Sequence, residues 1–143
     1  MKVVAPVPYF PPIKVGFRWQ FSQIVAQETI EGIEVYHPRY FMTPKVGMAV
    51  YGWTMFFSLL AKMKALKQQY PFDIIDAHFL YPDGFAATLL GRILKTPVVV
   101  HALGSDVLLY SRFPLIRPFL RKTLRNANPV SYTHLTLPTI YSV

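Results

Sequence analysis

Two short segments hold the residues best able to do chemistry. The first reads Asp76-Ala77-His78-Phe79-Leu80-Tyr81-Pro82-Asp83-Gly84, and the second Pro97-Val98-Val99-Val100-His101-Ala102-Leu103-Gly104-Ser105-Asp106. In each, an apolar run stops and polar, turn-forming residues take over. His78 stands at the end of the first run, where an imidazole can donate a hydrogen bond to a hydroxyl or a phosphate. Gly104 lets backbone approach a ligand closely, and Ser105 and Asp106 supply oxygens that recognise hydroxyls. His101 lies two residues before Leu103, on the same face of an extended strand. The expected substrate-binding set is therefore His78, Asp83, Gly84, His101, Gly104, Ser105 and Asp106, with no catalytic residue assigned. The same residues also read structurally: Tyr81–Gly84 as a turn with Asp83 as helix cap, Gly104–Asp106 as an Asx-type turn.

The elements that must position these residues follow from periodicity. Lys2–Pro6 reads as a short buried strand stopped by proline, and the proline-rich Val7–Gly16 as an extended loop. Phe17–Glu31 is ambiguous, and Ile33–Pro38 alternates apolar and polar as a strand does. Met48–Gln69 is the clearest helix, with Phe56, Leu59, Leu60, Met63 and Leu66 at helical spacing before Pro71. Phe72–His78 and Val98–Val100 read as strands buried in a parallel sheet. Between them a helix carries Phe85, Leu89, Leu90, Ile93 and Leu94, and Pro114 or Pro118 opens a third helix bearing Leu120 and Leu124. Helices alternating with short buried strands give an α/β fold with a parallel sheet, and ligands of such sheets bind beyond the carboxyl ends of the strands.

Composition narrows the chemistry. In 143 residues there is no cysteine, which excludes disulfides, thiolate metal sites and a cysteine nucleophile. No metal ligand set and no Asp-x-Asp pair stands out, so no metal is expected; the motifs of whole dinucleotide-binding, P-loop and serine-hydrolase domains are missing too. The net charge of +8 is densest after Arg112, where Arg117, Arg121, Lys122 and Arg125 interleave with Phe113, Leu115, Phe119 and Leu120. That run reads either as a solvated helix face or as contact with an anionic membrane or lipid phosphate. Nothing in it resembles an RNA-binding motif, so no nucleic-acid partner is expected. No secretory signal is visible, and the apolar stretch Gly47–Ala61 ends at Lys62, short of the about 20 residues a spanning helix needs.

From Val130 the text changes character. Val130-Ser131-Tyr132-Thr133-His134-Leu135-Thr136-Leu137-Pro138-Thr139 carries no acidic or basic residue besides His134 and no helical or strand period. It reads as the in-frame translation of a transposase-type sequencing adapter, so residues 129–143 are expected to be no domain and to pack little against the rest.

Residues 1–128, on the strength of the two segments above, resemble the N-terminal, acceptor-side domain of family 4 glycosyltransferases of the GT-B type. The resemblance implies a partial Rossmann-like domain whose first βα unit, with its glycine-rich loop, is missing here. It implies a parent enzyme that moves a sugar, without a metal and with retained anomeric configuration, from a nucleotide-sugar donor to a glycan or lipid-linked acceptor. No cofactor beyond that nucleotide-sugar co-substrate is implied. The expected location is cytoplasmic, peripheral at the inner face of the membrane. Paired glutamates that hold the donor belong to a second domain, so this chain by itself is expected to be inactive. Family members often place histidine immediately before Gly-Ser/Thr-Asp; here that position is Leu103, which puts the usual histidine's role in doubt. The alternatives are another doubly wound α/β nucleotide-binding module or a non-catalytic interaction domain.

Overall fold

The chain divides after Pro71, and residues Met1–Pro71 and Phe72–Val143 each fold on themselves. The computed structural model describes residues 1–9, 20–42, 48–128 and 130–132.

In the first unit, β1 (Val3–Val4) and β2 (Val7–Pro8) precede a single helical turn, α1 (Gln20–Gln23). β3 (Gln27–Ile30) and β4 (Ile33–Tyr36) form an antiparallel hairpin, and β1 pairs in parallel with β4. The two-residue turn has positive φ at both Glu31 (51°) and Gly32 (81°), the geometry whose twist matches paired strands. β2, inside the proline-rich segment expected to be a loop, pairs in parallel with β5 (Arg39–Tyr40). The pairing is two residues long, and Val7 donates its N–H to the Pro38 carbonyl at 2.9 Å while Pro8, with no N–H to give, follows it. A 3-10 turn at Met48–Val50 leads into α2 (Tyr51–Gln69), which buries Met55, Phe56, Leu59, Met63 and Leu66. Leu60 is only half-buried, and Met55 takes its place in the buried stripe.

The second unit carries both segments of interest. β6 (Ile75–His78) pairs in parallel with β7 (Val98–Ala102), His78 opposite His101. The crossover is an irregular turn, Leu80–Gly84, followed by α3 (Phe85–Leu94). After β7 come the short α4 (Ser105–Leu108), a 3-10 turn at Tyr110–Arg112, and α5 (Arg117–Asn126), with Pro118 in its first turn. Ala77, Val98, Val100 and Ala102 turn inward and join Leu80, Tyr81, Phe85, Leu90, Ile116 and Leu120 in the core. Small residues set how closely the layers approach. A Cβ on Gly84 would lie 2.7 Å from the Phe79 carbonyl, 2.8 Å from Val100 Cγ1 and 3.0 Å from Thr123 Cγ2. One on Gly91 would meet Val98 Cγ2 and the Thr96 carbonyl. α3 buries Phe85, Ala86, Ala87, Thr88, Leu90 and Gly91 against the sheet, α5 and the preceding turn, and Ile93, expected inside, is 47% exposed.

Two expectations are corrected here. Asp83 does not cap α3: Gly84 occupies the cap position with no side-chain hydrogen bond, because Asp83 is wound into the preceding turn. Residues from Val130 were expected to pack little, yet β8 (Val130–Tyr132) pairs in parallel with β7, giving the order β6-β7-β8. Backbone N–H and C=O groups suffice for that ladder, whatever the side chains. The rest of the tail, 133–143, lies outside the described residues. The architecture is α/β, parallel strands flanked by helices, consistent with a partial Rossmann-like fold.

Candidate functional site

Parallel pairing puts the carboxyl ends of β6 and β7 on one edge, so the loops that follow them must meet. Asp106 joins them. Its side chain is wholly buried, accepting hydrogen bonds from Leu80 N–H (2.8 Å) after β6 and from Leu103 (3.1 Å) and Val107 (3.1 Å) after β7. Phe79 N–H donates to the His101 carbonyl at 2.9 Å, extending the ladder one residue past β6. A carboxylate committed to three backbone donors organises the loops; its oxygens face the chain and not solvent.

The other expected residues separate by face. Strand alternation sends Ala77 and Val100 into the core and puts Asp76, His78 and His101 together on the more open face. The His78 and His101 rings stack, with centroids 4.8 Å apart and planes within 12°. His101 Nε2 lies 2.7 Å from Asp76 Oδ1. Asp83 is half-buried within the Leu80–Gly84 turn. Ser105 is exposed at the start of α4, beside a buried Gly104 whose φ of 91° favours glycine. Gly84 points the other way, into the contact with Val100 and Thr123, so its role in this structure is packing.

Sequence reasoning missed Asp76, which reads as a strand residue until the register sets it beside His101. It also missed Phe79, a bulky residue held at φ 78° right after His78. Such backbone costs about 1–3 kcal/mol and persists where surrounding contacts enforce it; here the hydrogen bonds flanking Phe79 do so.

Burial pushes the Asp83 carboxyl up to about 6, partly opposed by its own backbone N–H and by His78. An unfolded aspartate titrates near ~3.9, so between about pH 4 and 6 the folded chain holds a proton that the unfolded chain has lost. Asp83 thus favours the folded state at low pH, and that contribution disappears as pH rises through about 6. Asp83→Asn should therefore stabilise the chain by about 2 kcal/mol at pH 7.5 and by little at pH 4. Urea unfolding of both proteins across that range, with a chelator present, would show it; a difference independent of pH would refute it.

A second feature lies on the outer side of α5. Arg92, Arg117, Arg121, Lys122 and Arg125 line a cleft of about 660 Å³ together with Pro114, Pro118 and Asn126. Arg92 is held by the Asn126 side-chain oxygen, and Arg117 Nε donates to the Ser111 carbonyl at 2.8 Å. The basic run is thus a concave cationic surface, and the Lys122 ammonium also sits 5.8 Å from the centroid of the buried Phe85 ring.

Against known proteins, 88 residues of the chain are 35% identical to a Bacillus subtilis (strain 168) protein named "Putative teichuronic acid biosynthesis glycosyltransferase TuaC". That is a glycosyltransferase relationship. The matched region is 60% of this chain and 22% of TuaC, so the chain spans about a fifth of that relative's length. No family model matches. No helix among the described residues is long and apolar enough to cross a membrane.

Proposed function

We propose that this chain is the acceptor-side portion of a family 4, GT-B type glycosyltransferase, which moves a sugar from a nucleotide-sugar donor to a glycan or lipid-linked acceptor with retained configuration and no metal in the transfer step. The observation that carries this reading is the pair of loops at the carboxyl ends of β6 and β7, bound through Asp106, in a chain related to a glycosyltransferase. A hydroxyl-rich acceptor needs several convergent polar groups, because each buried donor or acceptor must be matched. His78, His101 and Ser105 offer side-chain groups toward such an acceptor, with Gly104 allowing close backbone approach. Asp106 holds the loops that carry them, and Asp83 and Gly84 shape the turn between β6 and α3. The cationic cleft beside α5 suits a lipid phosphate or the anionic inner face of a membrane, which would place the parent enzyme in the cytoplasm at the membrane surface.

The paired glutamates expected to hold the donor lie beyond this segment in the proposed parent. Sugar transfer should therefore be measurable with a full-length enzyme carrying this segment and absent from the chain alone. In that enzyme, His101→Ala should lower transfer at least tenfold while nucleotide-sugar binding stays within about twofold. Transfer by the isolated chain, or equal loss of donor binding in the variant, would overturn the assignment.

A further inference from the structure

The strand register that fixes the candidate site also creates a second chemical possibility. Asp76 and His78 occupy alternate positions of β6, and His101 lies directly opposite His78 on β7. One carboxylate oxygen and one nitrogen from each imidazole all lie within 4.8 Å of one another. The pair Asp76 Oδ1 and His101 Nε2, at 2.7 Å, already has nearly the bite of two cis ligands. A cation with ligand bonds of about 2.0–2.2 Å separates its donors by roughly 3–4 Å, so the Asp76–His101 pair must open slightly and the His78 ring must rotate out of its stack on His101 to aim a nitrogen at the same ion. Asp76 and His78 are exposed and His101 is half-buried, so an ion would reach all three without opening the core.

We propose that Asp76, His78 and His101 bind a first-row divalent cation, of which zinc is the prototype. Two imidazoles and one carboxylate suit such ions; calcium and magnesium prefer all-oxygen shells. The three ligands come from adjacent, hydrogen-bonded strands, so their Cα positions are set by the sheet and little ordering remains to be done on binding. Three protein ligands leave at least one coordination position open to water or to a hydroxyl oxygen, as in sites where a metal meets a ligand. The ion would replace the close Asp76–His101 contact, taking the imidazole as a neutral ligand. The ion would occupy the imidazoles offered above to an acceptor, so metal binding and acceptor contact are alternative states of these side chains, and the metal site stands on the geometry of β6 and β7 alone.

The test uses the whole chain without a polyhistidine tag. Equilibrium dialysis against zinc chloride should give one ion per chain, and cobalt(II) should give visible d–d absorption that zinc displaces. Asp76→Asn, His78→Gln and His101→Gln should each weaken binding at least tenfold, since even partners one shell further out are worth 10–100-fold. His37→Ala should change nothing, because His37 lies in the first unit on Glu28 and the Ala5 carbonyl. Circular dichroism checks that each variant folds. For any that does not, cobalt(II) added to the wild-type chain should broaden the imidazole proton resonances of His78 and His101 and spare those of His37. Absence of stoichiometric binding, binding unaffected in the folded ligand variants, or broadening centred on His37 would each overturn the proposal.

Discussion

Asp106→Ala should lower the unfolding free energy of the Phe72–Tyr132 region by about 3–5 kcal/mol. The side chain is fully buried and satisfies three backbone donors, those of Leu80, Leu103 and Val107. Truncation leaves the Leu80 and Leu103 N–H groups facing a void, each at about 1–3 kcal/mol, while Val107 N–H keeps the Gly104 carbonyl at 3.1 Å and water entering the space recovers part of the loss. Asp106→Asn should cost less, about 2 kcal/mol, since one oxygen still accepts while the new amide group meets an N–H head-on. Urea unfolding followed by a probe in this region measures both. A loss below about 1 kcal/mol for the alanine variant would mean that the carboxylate is not the clamp described. In a full-length transferase, at a temperature where the variant stays folded, Asp106→Ala should lower transfer and leave nucleotide binding near normal.

Gly84→Ala should be nearly as damaging, at about 3 kcal/mol, for a steric reason. Gly84 has φ −61°, so any L-residue could adopt its backbone conformation. The added methyl has nowhere to go: the Phe79 carbonyl is 2.7 Å away, and Val100 and Thr123 close the other sides. Relief requires α3 to lift from β7 or the Phe79 turn to move. A compensating substitution separates this account from general fragility. Val100→Ala alone should destabilise by emptying a fully buried position, yet combined with Gly84→Ala it should recover about 1 kcal/mol relative to additivity. Strictly additive losses would show that the clash is relieved elsewhere.

Much of the frame was legible in the residues, and what was not has identifiable physical causes. α2 stood out because its apolar spacing repeats over about three turns, from Phe56 to Leu66, and Pro71 ends it cleanly. β7 was readable as an uninterrupted Val98-Val99-Val100 run, and α5 by its prolines. The hairpin strand β3 was not, because Gln27–Ile30 is exposed throughout and carries no buried alternation. β2 was hidden by its prolines, since a two-residue parallel pairing needs few donors. β8 was hidden because a ladder built on backbone leaves no mark on side-chain chemistry. Site legibility followed the same division. That the polar residues after β6 and β7 adjoin follows from parallel topology alone. The depth of Asp106 and the inward turn of Gly84 depend on packing, and the partnership of Asp76 with His101 depends on register, which no local pattern reveals.

The shared carboxylate has one further consequence, for the entropy of ligand recognition. Leu80 and Leu103 lie far apart in sequence, yet their backbone N–H groups end on the same side chain, so the two segments are tied to each other before any ligand arrives. Ordering a free backbone residue costs about 1–2 kcal/mol, and two independent loops would lose that freedom separately whenever a ligand bridged them. Here folding has already removed it. A ligand touching either segment meets a surface whose other half is in place, and contact at one loop reaches the other through a single side chain, without passing through the sheet.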